Sequence, residues 1–171
     1  MSIPDHQNEN LQAMGVALLQ IQAAEKVIRL TMTFILPKSE QLTIDLLKEQ
    51  EEAERTKTLG YFLSQLHKRT NVHESFDALL KDFLKNRNDF IHDLSRVPGW
   101  DFTADGTEAR EFVHKLIWQT EKVMKIFSAL IMAWQEQIGM VDAPPPDHEW
   151  FTDVEKTYKP LIDELFYAKD A

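Results

Sequence analysis

The chain has 171 residues, of which 43% are apolar and only five are glycine, enough for one domain with a packed interior. It has no cysteine, which excludes disulfides, thiolate metal sites and cysteine nucleophiles. The net charge of −9 argues against non-specific nucleic-acid binding. Yet the segment 57–96 carries seven Lys/Arg against five Asp/Glu, so an anion site is expected in the middle of the chain.

Residues 1–10 are polar and lack an apolar leader segment, and no apolar run approaches membrane-spanning length. The expected location is therefore cytoplasmic, with no membrane partner. The prolines stand at 4, 37, 98, 144, 145, 146 and 160, leaving long stretches without a helix breaker. The expected fold class is all-α: an up-and-down four- or five-helix bundle over residues 1–140. A proline-hinged tail, 141–171, follows and packs on the bundle or on a partner.

The first predicted helix runs over 8–36. Leu11, Met14, Leu18, Ile21, Ile28, Met32 and Ile35 recur at three-four spacing, interrupted by Glu25. A second stripe, Val16, Leu19, Ala23, Val27, Leu30 and Phe34, predicts a helix that is central or packed against two neighbours. Pro37 ends it. Ser39 is a candidate cap for a second helix through Ala53, with Leu42, Leu46 and Leu47 inward. The charged run 49–55 reads as a solvated face. Thr58 starts a further helix, with Leu59, Phe62, Leu63 and Leu66 inward, ending near Lys68. A polar link over 71–74 follows.

The most regular pattern covers 76–97: Phe76, Leu79, Leu80, Phe83 and Leu84, then Arg87, then Phe90, Ile91 and Leu94, stopping before Pro98-Gly99. Trp100 and Phe102 pin the next loop. Asp105 with Glu108 resembles a capping box. The following helix carries Phe112, Val113, Leu116, Ile117, Val123, Phe127, Leu130, Ile131 and Trp134 on one broad face, and Gly139 caps its end. Pro144–Pro146 form a stiff spacer before short apolar pieces at 150–151 and 161–167. No strand pattern or internal repeat stands out.

Arg87 breaks this regularity. Advancing about 100° per residue from Phe76 places it at the centre of the apolar stripe. A charge there is costly unless paired, which predicts a largely buried Arg87. The alternative is a side chain that snorkels to the helix edge. Glu25 interrupts the first helix in the same way, so the two either pair or Glu25 lies on a solvated edge. The histidines at 6, 67, 73, 114 and 148 show no metal-ligand spacing, and no metal or cofactor is expected. Asp89 and Asp93 form a same-face carboxylate pair beside His92, read as a solvated face. Trp100 and Trp118 are the tryptophans expected to show exposure.

The segment Asn86-Arg87-Asn88-Asp89-Phe90-Ile91-His92 contains an arginine, a polar residue directly after it and a histidine beyond four intervening residues. With Thr58-Leu59-Gly60-Tyr61-Phe62-Leu63 upstream and the long amphipathic helix around it, it resembles the HEPN superfamily over residues 8–140. That resemblance implies a helical bundle that dimerises, bringing two motif copies into one cleft. Catalytic members are metal-independent endoribonucleases, often toxins or phage-defence effectors. Others are inactive binding modules, some paired with a nucleotidyltransferase-like partner or acting as the antitoxin side of a toxin–antitoxin pair.

The residue chemistry is compatible with RNA cleavage. A histidine can act as base or acid near neutral pH, and an arginine can fork a phosphate and stabilise developing charge. Arg87, Asn88 and His92 are the candidate catalytic residues, with Glu25 and Asp89 supporting them. Asn88 would orient the histidine or donate to phosphate. Arg87 and His92 stand about 140° apart on an ideal helix, whereas Asn88 and His92 share a face. The arginine reaches around, the helix distorts, or a second protomer closes the site; a homodimer is the most economical of these. The function that the resemblance implies is a metal-independent endoribonuclease of toxin or phage-defence type acting on RNA, with a cognate antitoxin or nucleotidyltransferase-like partner. The alternative is a non-catalytic binding or antitoxin-type module acting through protein or nucleotide partners.

Overall fold

The computed structural model describes residues 5–34, 57–100, 106–139 and 148–167. The fold is an all-α helical bundle. Its long elements are α1 (Asp5–Phe34), α2 (Leu59–Arg69), α3 (Glu74–His92) and α4 (Thr107–Gln137). The C-terminal segment adds α5 (Glu149–Asp153) and α6 (Ile162–Leu165), joined by a π-helical turn and a 3-10 turn. Two short strands, β1 (Asn71–Val72) and β2 (Phe166–Tyr167), pair antiparallel. The predicted helix over 39–53, the Asp105 cap, Phe102 and the Pro144–Pro146 spacer lie outside the described residues.

Residues divide into two compact units. One comprises Met1–Ala24 and Ala78–Val123; the other comprises Glu25–Asp77 and Met124–Ala171.

In the first unit the core is built from Ala17, Ile21 and Ala24 of α1, Leu80, Phe83 and Phe90 of α3, and Val113, Leu116 and Val123 of α4. The three-four spacing of these positions explains why each segment forms a helix with one buried face. Asn10 ties α1 to the start of α4. Its amide donates to the Gly106 carbonyl at 3.2 Å, and its Oδ1 accepts from Arg110 Nε at 2.9 Å. Gly99 adopts φ +64, and a Cβ there would stand 2.7 Å from Glu108 Cβ, so the turn into α4 requires glycine.

In the second unit α2 starts on Thr58, whose hydroxyl accepts from the Tyr61 amide at 3.3 Å. Leu59, Phe62, Leu63 and Leu66 form its buried face, as the sequence predicts. Arg69 in its last turn donates to the Met32 carbonyl at 2.7 Å. The link at 71–74 is more than a polar connection. Its backbone pairs with residues 166–167, His73 N donates to Leu165 O at 2.9 Å, and Thr70 Oγ1 donates to Tyr167 O at 3.0 Å. Phe166 then meets Phe76 (ring centroids 5.4 Å apart) and Phe127 (6.3 Å). Asp153 accepts from Lys125 Nζ at 2.7 Å, and Lys159 pairs with Glu136.

Two expectations need correction. Most of the second stripe of α1 faces outward: Val16, Leu19, Ala23 and Leu30 are exposed and Val27 is half-buried. The buried line is instead Ala17, Ile21, Ala24, Ile28 and Met32, where small alanines substitute for the larger residues that the pattern weighed. The helix predicted to reach Val97 ends at His92, and residues 94–96 form a 3-10 turn whose Arg96 folds back onto Asp93 and Asp89. At the end of α4, Gly139 has φ +72 and its amide donates to Glu136 O at 3.1 Å, the expected cap.

Candidate functional site

Arg87, Asn88 and His92 all lie on the last turns of α3. Arg87 is half-buried rather than buried, because its guanidinium leaves the apolar stripe for the exposed side of the helix. There its Nη1 donates to Asn88 Oδ1 at 2.9 Å and stands 3.1 Å from His92 Nε2. The 140° that separates the two Cα positions is bridged within one chain, by an arginine that reaches around. Helical Cα–Cβ bonds tilt toward the N-terminus, so His92 leans back over the preceding turn while the long arginine side chain swings across.

A guanidinium has donors and no acceptor. Its contact with Nε2 is a hydrogen bond only when that nitrogen carries a lone pair. In this contact Nε2 is therefore the acceptor. Asn88 acts first on the arginine, since its oxygen accepts from Nη1. Its expected action on the histidine is not among these bonds.

Asp89 is buried and belongs to a separate cluster. Lys85 Nζ lies 2.9 Å from its Oδ2 and Arg96 Nη1 lies 3.7 Å from its Oδ1. Asp93 accepts from the Ser95 hydroxyl and from Arg96 Nε at 2.9 Å. The Ser95 hydroxyl, reinforced by Arg96, holds the Asp93 carboxyl below the ordinary range despite some desolvation. The pair read from sequence as a solvated face thus has a buried member, and both carboxylates are matched to cations. Glu25 is half-buried on α1 and belongs to the second unit.

Behind the motif runs a polar chain that the hydrophobic pattern hid. Asn86 Nδ2 donates to Gln119 Oε1 at 2.9 Å, Gln119 Nε2 donates to Asp82 Oδ2 at 2.8 Å, and Lys115 Nζ stands 2.8 Å from the same oxygen. Asn86 and Gln119 are both buried. The Lys115 hydrogen bond is the main cause that lowers the Asp82 pKa, with smaller help from Gln119 and Lys85 against desolvation. The available signal was a glutamine at helical spacing from Leu116 and Val123, on the face that carries them.

Among the described residues, no group of three or more His, Asp or Glu could hold a metal ion, and no helix is long and apolar enough to cross a membrane. No family model matches the chain, and neither a curated protein nor a solved structure matches it.

Proposed function

We propose that the chain is a HEPN-like, metal-independent endoribonuclease of toxin or phage-defence type. The observation that supports this reading is the Arg87–His92 contact at 3.1 Å on the exposed side of α3. A neutral imidazole is ready to take the proton of a ribose 2′-hydroxyl, while the adjacent guanidinium can leave it for the scissile phosphate. The 2′-oxygen would attack phosphorus, the 5′-oxygen would leave, and the products would be a 2′,3′-cyclic phosphate and a 5′-hydroxyl. The protein would act as a two-fold homodimer with α3 near the interface, so that the second copy's His92, in its protonated form, would supply the leaving-group proton. RNA would be the substrate, and a cognate antitoxin or nucleotidyltransferase-like protein the regulatory partner.

A second reading is favoured by the carboxylates beside the motif and by the net charge of −9. In it the chain is a non-catalytic HEPN-like module, and Arg87, Asn88 and His92 bind a partner protein or nucleotide. Purified wild-type, Arg87→Ala and His92→Ala proteins, incubated with structured and single-stranded RNA in chelator, separate the two. Cleavage by the wild type alone supports the nuclease. Intact RNA under every condition, with and without added metal, leaves the binding module.

A further inference from the structure

One aromatic ring in the first unit faces water with a lysine over it. Trp118 of α4 is 50% exposed, and Lys122 Nζ stands 4.5 Å from its ring centroid. Lys115, three residues earlier on the same exposed side, reaches Asp82 of α3. That contact meets α3 at Asp82, at the edge of its solvent face. There Lys81, Lys85, Asn88 and His92 recur at four-, three- and four-residue spacing, which is one helix face. Lys81, Lys85 and His92 are exposed.

A large exposed ring with one lysine over it, and two further lysines on the exposed face of the adjoining helix, suits a single-stranded nucleic-acid track: cations follow the phosphates and the ring takes a base. A protein partner recognised by an apolar patch would instead need further large apolar residues around Trp118, and its neighbours at 114, 115, 121 and 122 are polar or charged. We propose that Trp118 is a base-stacking platform for single-stranded RNA, with Lys122 at a flanking phosphate and Lys115 exchanging Asp82 for another. Lys81 and Lys85 lead the backbone along α3 toward Arg87 and His92. The substrate class rests on the ribonuclease reading; the stacking role does not require cleavage.

The test is fluorescence anisotropy with a labelled 2′-O-methyl oligouridylate, which lacks the free nucleophile, and with versions carrying one abasic site at successive positions. Trp118→Ala is expected to weaken binding about 5- to 100-fold, and Trp118→Phe to restore most of it. One abasic position should weaken wild-type binding and leave the Trp118→Ala variant unchanged. Equal affinity of wild type and Trp118→Ala overturns the proposal, as does wild-type affinity that no abasic position alters. The abasic series needs only wild-type protein, so a variant that fails to fold does not remove the test. Cleavage of ordinary RNA is scored alongside. Cleavage without a Trp118 effect sinks the platform and keeps the nuclease. A Trp118 effect on binding without cleavage keeps the platform and sinks the nuclease. Neither binding nor cleavage sinks both.

Discussion

The guanidinium of Arg87 and the imidazole of His92 are hydrogen-bonding partners across five residues of one helix, with Nη1 3.1 Å from Nε2. Because the arginine only donates, Nε2 is the acceptor in this contact. Nitrogen-detected NMR of labelled protein at neutral pH should show Nε2 unprotonated, and Arg87→Ala should shift the ring toward the other tautomer. On the ribonuclease reading, a 2′-deoxy group at the scissile position of the RNA should block cleavage.

The buried Asn86–Gln119 bond gives a stability prediction independent of activity. Asn86→Ala leaves a buried amide oxygen without its donor, which costs about 1–3 kcal/mol. Urea denaturation should show that loss. An unchanged midpoint would mean that Gln119 finds another partner.

Two glycines should respond with opposite sign. Gly99→Ala places a methyl against Glu108 at a positive φ and should destabilise by roughly 1 kcal/mol or more. Gly15 sits on α1 with nothing within 4 Å of the place a Cβ would occupy, so Gly15→Ala should stabilise by about 0.5–1 kcal/mol. Paired melts of the two variants check both directions.

Removing aromatic packing in the second unit should be severe. Phe76 is fully buried against Phe127 and Phe166, and Phe76→Ala should cost about 3–5 kcal/mol. Leu19→Ser on the exposed side of α1 should change stability by less than about 0.5 kcal/mol.

The C-terminal segment should loosen in acid. Lys125, helped by Thr157, holds the Asp153 carboxyl below its ordinary value of 3.8. A depressed folded pKa contributes stability above the unfolded value and loses it as pH falls through the lower folded value. Proteolysis of the segment should therefore stay flat down to about pH 3.8 and rise below it. Asp153→Asn should show the increase at neutral pH, and its difference from wild type should vanish in strong acid.

The long helices were legible because their apolar positions recur at helical spacing and their ends carry local signals. Thr58 and Gly139 cap where the sequence places caps. The β1–β2 pair was not legible, since two residues carry no period and their partners lie at the far end of the chain. The motif residues could be named from sequence, but their meeting could not. An ideal wheel treats Arg87 as a point at its Cα angle, and the real side chain is long enough to cross the helix face. The Asn86–Gln119–Asp82–Lys115 chain depends on which helix lies beside which, something that one strand of letters does not encode.

The pairing of residues 71–72 with 166–167 has a consequence for synthesis on the ribosome. The residues of the first unit end at Val123, whereas the second lacks its closing strand and Phe166 until those late residues emerge. The second unit is therefore the last to have all its residues synthesised. During that interval Phe76 and Phe127 lack the ring that packs against both, a transient apolar surface of the kind that chaperones bind.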